Sequence, residues 1–134
     1  MPPRSEQELL DATIELAIHC RWAVHHDRPA RRSGGKWATA IQGHAGFPDL
    51  VLVRQGLVLF RELKGYSKTG RLGKLSPEQR DWARQLAQPT DSDPAWRGVG
   101  APLFAVWTPD DWDTLIVPTL TSRVFTTKTD QEQR

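Results

Sequence analysis

The chain has 134 residues and a mass of 15.2 kDa, which is enough for one compact domain with a hydrophobic core and too little for two. Hydrophobic residues make up 38% and charged residues 25%, a balance typical of a folded globular protein rather than a disordered one. A single cysteine, Cys20, excludes an internal disulfide and a cysteine-based zinc site. No signal peptide and no membrane-length apolar run is evident, so we expect a cytoplasmic protein without membrane contact.

The net charge is only +2, but the charges are unevenly distributed along the chain. Residues 36–84 contain nine Lys and Arg against four Asp and Glu, and the residues that follow are acidic on balance. A basic middle segment predicts a polyanionic partner on one face of the protein. A solvated basic face with no partner is an equally common reason for such a pattern.

The first predicted element is a helix that begins after Ser5 and runs to about Val24. Ser5 and Glu8 fit a capping box, in which the N-cap and third helical residues satisfy each other's backbone N–H groups. Glu6 falls one turn before Leu10 and therefore on the apolar stripe rather than on the solvent face. The members of that stripe are Leu10, Ile14, Ala17 and Val24.

The next segments predict a β-hairpin followed by a basic loop. His25–Pro48 is mostly irregular, with one possible strand at Trp37–Gln42. Leu50–Val53 and Leu57–Leu63 are β-prone runs joined by the two-residue turn Gln55-Gly56. The predicted loop that follows is basic and flexible, and it covers Gly65–Lys74.

The second half of the chain predicts a further helix, a strand and a closing helix. Ser76 is the N-cap of the helix and Pro77 occupies its first position. The order predicts an α/β fold with a small mixed sheet flanked by helices (αβββαβ), a domain over residues 1–120 and a polar tail over 121–134. The other predicted segments are a loop at Gln88–Pro102, a buried strand at Leu103–Trp107 and a helix at Pro109–Leu115.

The predicted hairpin register brings two carboxylates together. If Gln55-Gly56 is the turn, Asp49 lies directly opposite Glu62, with Cβ atoms about 4.5–5.5 Å apart. The two charges repel each other unless a divalent cation such as Mg²⁺ or Mn²⁺ binds between them. Lys64 lies on the same face of its strand as Glu62, where it could steady a phosphate. This pattern indicates phosphodiester hydrolysis, and the alternative is a chance cluster of charges at strand ends.

Four segments in the same order resemble a known nuclease family. Gly46–Val53 and Leu59–Gly65 resemble the motif of PD-(D/E)XK nucleases. Leu75–Trp82 follows at the distance expected of the VRR-NUC branch, and Ser5-Glu6-x-x-Leu9 is similar to that branch's N-terminal motif. The resemblance spans residues 5–112 and implies a restriction-endonuclease-like core, a divalent metal and cleavage of DNA.

The resemblance also implies a role for individual residues. Asp49 and Glu62 would be metal ligands, together with the backbone carbonyl of Leu63. Lys64 would orient the attacking water or help to deprotonate it. Glu6 would join the site through a water on the metal and is favoured over Glu8, which the cap already uses. Gln79 would either take part in the active site or simply complete a capping box with Ser76, and both interpretations stay open.

The expected activity is that of a Mg²⁺- or Mn²⁺-dependent DNA endonuclease directed by DNA structure (junction, flap or duplex) rather than by sequence. Because one small site cuts one strand, a homodimer is expected to place two sites on the DNA. The alternatives are a non-catalytic DNA-binding module of the same fold and an RNA-processing nuclease. The residues expected to contact phosphates are Arg31, Arg32, Lys36, Lys68, Arg71 and Lys74.

Overall fold

A computed structural model describes residues 2–27, 30–31, 37–38, 42–86 and 103–122, with backbone alone for 30–31 and 37–38. The α-helices of this part are α1 (Glu6–His19), α2 (Pro77–Leu86) and α3 (Val117–Thr121). Its strands are β1 (Ala23–His26), β2 (Ala30–Arg31), β3 (Trp37–Ala38), β4 (Leu50–Arg54), β5 (Leu57–Leu63) and β6 (Phe104–Trp107). Among these helices none has the length and apolar character needed to span a bilayer.

The described strands form a mixed four-stranded sheet and a separate two-stranded one. The strand order of the larger sheet is β1-β4-β5-β6, with β1, β4 and β5 antiparallel and β6 parallel to β5. The small sheet contains β2 and β3. The prediction of an α/β fold built on a small mixed sheet with helices is confirmed.

The central hairpin has the predicted register. Gln55 and Gly56 have φ angles of 51° and 83°, the left-handed values that a type I′ turn needs at both positions. Arg54 pairs with Leu57, and the ladder continues in step to Leu50 opposite Arg61. Asp49 therefore stands one residue before the ladder on one strand, at the level of Glu62 on the other.

Helix α1 begins as predicted but ends earlier. Ser5 Oγ accepts a bond from Glu8 N at 3.0 Å, and Ser5 N donates to Glu8 Oε1 at 3.1 Å, which confirms the capping box. The predicted end near Val24 is wrong, because Arg21 adopts a left-handed φ of 68° and terminates the helix at His19. A Schellman motif forms there without the usual glycine, with backbone bonds Arg21 N–Ile18 O and Trp22 N–Ala17 O.

The buried stripe of α1 is shifted by one residue from the predicted one. Leu9, Thr13 and Ala17 are buried, whereas Leu10 and Ile14 are only half-buried. The polar Thr13 interrupts the apolar pattern of the true stripe, so hydrophobicity alone favoured the neighbouring positions.

The segment predicted as irregular contains the edge strand β1, so the interpretation of His25–Pro48 is wrong at its start. The possible strand at Trp37–Gln42 is formed at Trp37–Ala38, which pairs with β2; residues 39–41 lie outside the described residues and Gln42 is not in a strand. Strand β1 lengthens the sheet beside β4, with His26 opposite Leu50.

The predicted basic loop after β5 is folded into a hydrogen-bonded hairpin. Tyr66 and Leu72 form an antiparallel bridge, and we call residues 66–72 the basic hairpin. Ser67 N donates to Arg71 O and Gly70 N donates to Ser67 O, both at 2.9 Å. These bonds satisfy the backbone of the turn locally.

The helical segment after β6 is longer than predicted and changes its winding. It contains a 3₁₀ turn at Pro109–Asp111, a π-helical turn at Trp112–Ile116 and then α3. Pro118 has no N–H for the carbonyl four residues earlier, which is a physical reason for the wider turn before it. The predicted loop at Gln88–Pro102 lies outside the described residues, as does residue 123 onward of the predicted tail.

The main core lies on the face of the sheet that α1 and α3 cover. Arg54 closes this core at the hairpin end: it donates to the carbonyls of Cys20 (3.3 Å) and Leu120 (3.1 Å), and its guanidinium lies 4.3 Å from the centre of the Trp22 ring. The buried apolar residues of the cluster are Leu9, Ala17, Trp22, Leu50, Leu52, Leu59, Leu63, Trp107, Ile116 and Leu120. Asp49 and Glu62 lie on the opposite face by strand alternation.

Candidate active site

Asp49 and Glu62 meet at the open end of the central hairpin. Asp49 Oδ2 accepts a hydrogen bond from the backbone N–H of Leu63 at 2.8 Å, which holds this carboxylate across the end of β5. The protonated Glu62 carboxyl is close enough to hydrogen-bond to Asp49. The predicted convergence of the two carboxyl groups is therefore present.

Glu62 is buried, accepts one hydrogen bond from Gln79 and forms an ion pair with Lys64. Its side chain is 2% exposed, and Lys64 Nζ lies 3.7 Å from its Oε1. Gln79 Nε2 donates to the same oxygen at 2.8 Å. Glu62 and Lys64 thus share a face, as strand alternation predicted.

The acid at Glu62 is strongly perturbed. Burial and the neighbouring Asp49 carboxylate raise the pKa of Glu62 to about 8, and the attraction of Lys64 offsets this only in part. At neutral pH the pair therefore carries less than its full negative charge. A cation at this point would favour the charged form of both groups.

Gln79 completes the predicted capping box and also contacts Glu62. Its Oε1 accepts from Ser76 N at 2.8 Å, and its own N–H donates to Ser76 Oγ at 3.1 Å, which completes a capping box at the start of α2. The other half of the same amide, Nε2, binds Glu62. One side chain therefore joins the helix cap to the acid pair.

Gly46 explains how α2 comes so close to the hairpin. It has a φ of +95°, and a Cβ atom there would lie 2.8 Å from Gln79 N, so only glycine allows the backbones to touch. The next residue, Phe47, makes edge-to-face contacts with Trp82 at 5.1 Å and Phe60 at 6.0 Å between ring centres. The segment leading to Asp49 is thus clamped between β5 and α2.

Gly65 allows the first turn of α1 to pack closely against the end of β5. A Cβ atom at Gly65 would lie 2.6 Å from Glu6 Cα, and Tyr66 N donates to Arg4 O at 2.8 Å. This contact sets the first turn of α1 beside Lys64. Burial and the Asp49 charge raise the pKa of Glu6, with Lys64 acting against them. The predicted place of Glu6 on the apolar stripe is wrong, because its side chain is exposed, but it lies within electrostatic reach of Asp49 and Lys64.

Glu8 is excluded from the site by its role in the cap. The backbone and side-chain hydrogen bonds to Ser5 lower the pKa of this fully exposed carboxyl. The prediction that Glu8 belongs to the cap is confirmed, and the preference for Glu6 as the site glutamate agrees with its electrostatic contact with Asp49 and Lys64.

The donor set for a metal consists of Asp49, Glu62 and one backbone oxygen. The N–H and C=O of a strand residue point to the same side, so the Leu63 carbonyl faces the side on which its N–H binds Asp49. Among the residues that the structure describes, no group of three His, Cys, Asp or Glu is close enough to form a metal site by itself. Two carboxylates and a carbonyl fit a cation that keeps part of its water shell, as Mg²⁺ does.

One contact of the site was missed at the level of sequence. His26 Nδ1 lies 2.9 Å from the Asp49 carbonyl oxygen, where it links the edge strand to the residue before β4. The only signal in the sequence was strand alternation, which separates His26 from the exposed His25 that pairs with Asp27. Because this segment was predicted to be irregular, the alternation of side chains along a strand was not applied to it.

The predicted phosphate-binding residues are placed only in part. Lys68, Arg71 and Lys74 are exposed on or next to the basic hairpin. The side chain of Arg31 and the residues Arg32 and Lys36 lie outside the described part of the chain. Three of the six are therefore exposed on the segment that follows Lys64.

Comparisons of the chain with protein-family models, curated proteins and solved structures give no match. Function must therefore be inferred from the site itself. Its candidate side chains come from the first turn of α1, the end of the hairpin and the first turn of α2, and each is held by contacts of its own.

Proposed function

We propose that this protein is a metal-dependent DNA endonuclease of the VRR-NUC type, with a restriction-endonuclease-like core. The observation that carries the proposal is the buried Glu62 beside Asp49, with Lys64 3.7 Å away at the same end of the hairpin. A buried acid beside a second carboxylate costs stability unless a positive charge binds there. Its placement next to a lysine suits the binding of a cation and a phosphate together.

Asp49, Glu62 and the Leu63 carbonyl would hold Mg²⁺ or Mn²⁺, with Glu6 contributing through water. When bound, the cation supplies positive charge next to the scissile phosphate and lowers the pKa of water. Burial and the Asp49 charge raise the pKa of Glu62, and a cation bound here would oppose both effects.

The chain's own residues would divide the remaining work. The Lys64 ammonium can donate to a phosphate oxygen or to the attacking water while its stem packs near Gly73. Gln79 holds one oxygen of Glu62 and so directs the other toward the metal position. Glu6 lies within electrostatic reach of the Lys64 ammonium, whose charge acts against the burial and the Asp49 charge that raise the pKa of Glu6.

The substrate would be DNA recognised by shape, with a cytoplasmic homodimer placing two sites on a duplex or a junction. The exposed Lys68, Arg71 and Lys74 stand beside the site and suit phosphates that flank the scissile one. Neutralising all three should weaken binding alike for unrelated sequences. It should also reduce the salt slope by about 0.9 for each phosphate that is no longer neutralised. Sequence discrimination that survives in the triple variant would contradict recognition by shape.

The decisive experiment is a cleavage panel of duplex, nicked, flap and four-way DNA, with matched RNA, in Mg²⁺ or Mn²⁺ at several salt concentrations. We expect Asp49→Asn, Glu62→Gln and Lys64→Met to remove cleavage while the proteins stay folded. Glu15→Gln, an exposed acid on α1, is the matched control. Wild-type cleavage by Glu62→Gln would refute the site. DNA binding without cleavage by the wild type would indicate a non-catalytic module, and cleavage of RNA alone an RNA nuclease.

A further inference from the structure

The basic hairpin is built as a rigid projection. Besides the two bonds inside its turn, Ser67 Oγ accepts from Arg71 N at 3.1 Å, and Gly73 N donates to Gly65 O at 3.1 Å just beyond its base. Four bonds over so few residues leave the backbone little freedom to yield under load.

The hairpin is also anchored to the body of the protein at its base. Tyr66 N is bonded to Arg4 O, the Arg4 guanidinium lies 4.9 Å from the centre of the Tyr66 ring, and the Tyr66 hydroxyl donates to Asp110. These contacts join the hairpin to the chain before α1 and to the helical segment after β6. The hairpin is therefore held against the rest of the domain when a ligand presses on its surface.

Leu72 is out of place on this surface. It is 39% exposed, and the chain from Leu63 to Pro77 carries four basic residues and no acidic one. Leu72 precedes Gly73, where a Cβ atom would lie 3.3 Å from Lys64 Cδ. An exposed apolar side chain thus stands on a cationic, braced hairpin immediately beside the candidate site.

We infer that Leu72 is a wedge that inserts between bases of the nucleic acid next to the scissile phosphate; this rests on the proposed function. Proteins that kink or open a duplex use such apolar side chains between base steps, with basic side chains on the flanking phosphates. The flanking charges here are Arg71 and Lys74. The bracing of the hairpin supplies the resistance that separating stacked bases requires.

The wedge favours branched DNA over continuous duplex. At a junction, nick or flap one base step is already unstacked, so Leu72 enters without the cost of opening it. The same side chain would therefore set both the choice of substrate and the distance from the branch to the cut. Leu72 would thus be the residue that directs the enzyme to branched DNA.

The test uses full-length protein and four-way or flap DNA carrying 2-aminopurine at the branch, in EDTA so that no cleavage occurs. Each variant is compared at a concentration that saturates its binding. We expect the wild type to raise 2-aminopurine fluorescence at the branch and not in continuous duplex. Leu72→Ala should lose most of that rise, and Leu72→Met should retain it. Leu115→Ala, at a residue 37% exposed on the helical segment after β6, is the matched control.

The outcomes separate this inference from the proposed function. A full fluorescence rise in Leu72→Ala, or wild-type protein that cuts DNA with no rise at all, would overturn the wedge and leave the nuclease standing. A protein that neither binds nor cuts any nucleic acid would overturn both. Loss of the rise in Leu72→Ala, with a cut site that moves relative to the branch in Mg²⁺, would support the wedge.

Discussion

Replacing Glu62 by glutamine should make the metal-free protein more stable at alkaline pH. Glutamine is neutral and has the shape of the protonated acid. Its amide oxygen can still accept from Gln79, and its NH₂ can donate to Asp49. The substitution thus keeps the hydrogen bonds and removes the charge that burial opposes.

The sign and size follow from the pKa of Glu62, which rises from an ordinary value of 4.5 to about 8 on folding. Below pH 4.5 the acid is neutral in both states, and its contribution to stability is fully present. As pH rises to about 8 the folded state loses that contribution, at 1.36 kcal/mol per pH unit, up to about 5 kcal/mol in all. This is a large fraction of the roughly 5–15 kcal/mol that stabilises a typical domain.

The assay is urea unfolding followed by tryptophan fluorescence at pH 5, 6, 7, 8 and 9 in EDTA. With an m value of about 2 kcal/mol/M, Glu62→Gln should gain up to about 2.5 M in midpoint over the wild type at pH 9, and little at pH 5. Other titrating groups act on both proteins, so the difference isolates Glu62. Glu15→Gln should show no such pH-dependent gain.

Adding Mg²⁺ should narrow the difference in stability between the two proteins. At ten times its dissociation constant the metal should stabilise the wild type by about 1.4 kcal/mol, and Glu62→Gln by less. If the stabilities of the wild type and Glu62→Gln stay parallel from pH 5 to 9 in EDTA, the account of a strained acid pair is wrong.

Five further substitutions test the supports of the site. Glu6→Gln should reduce cleavage with an unchanged melting temperature, and Glu8→Ala should lower the melting temperature with cleavage per folded molecule kept; equal loss of cleavage in both would reverse their assignment. Arg54→Met should cost about 3 kcal/mol in urea unfolding, because it removes charged bonds to carbonyls and an aromatic contact, and a loss near zero would contradict that role. Gly65→Ala should lower stability by about 2–3 kcal/mol and reduce cleavage by displacing Glu6. Gly73→Ala should lower stability by about 1 kcal/mol or less, because the added methyl group meets only the flexible Lys64 stem. Equal losses of stability would argue against the close packing at Gly65.

The parts of the site that sequence predicted are those set by local rules. The turn residues Gln55 and Gly56 determine a register, and the register determines which residue faces Glu62. Capping boxes are equally local, which is why the spacing of Ser5 and Glu8 alone was enough to assign Glu8 to the cap. The register already predicted that Asp49 lies beside the end of β5, and the hydrogen bond from Leu63 N shows how the carboxylate is held there.

The parts that sequence missed depend on contacts between distant segments. In the sequence Gly46 and Gly65 look like ordinary loop glycines. Only the structure shows that the backbone of α2 and of α1, respectively, occupies the position where a side chain of these residues would be. The end of α1 was missed because Arg21 takes the left-handed position that glycine usually signals. Thr13 was missed because a buried hydroxyl carries no hydrophobic signal.

The two-residue turn at Gln55-Gly56 has a consequence for how this protein can change during evolution. Side chains alternate along a strand, so one residue inserted into β5 before Glu62 would move Glu62 and Lys64 to the face that packs on the core, and one inserted into β4 would move Asp49 instead. Either insertion would separate the acid pair, whereas insertions in the chain before Gly46 leave the parity intact. Selection on this hairpin should therefore act on length as strictly as on residue identity.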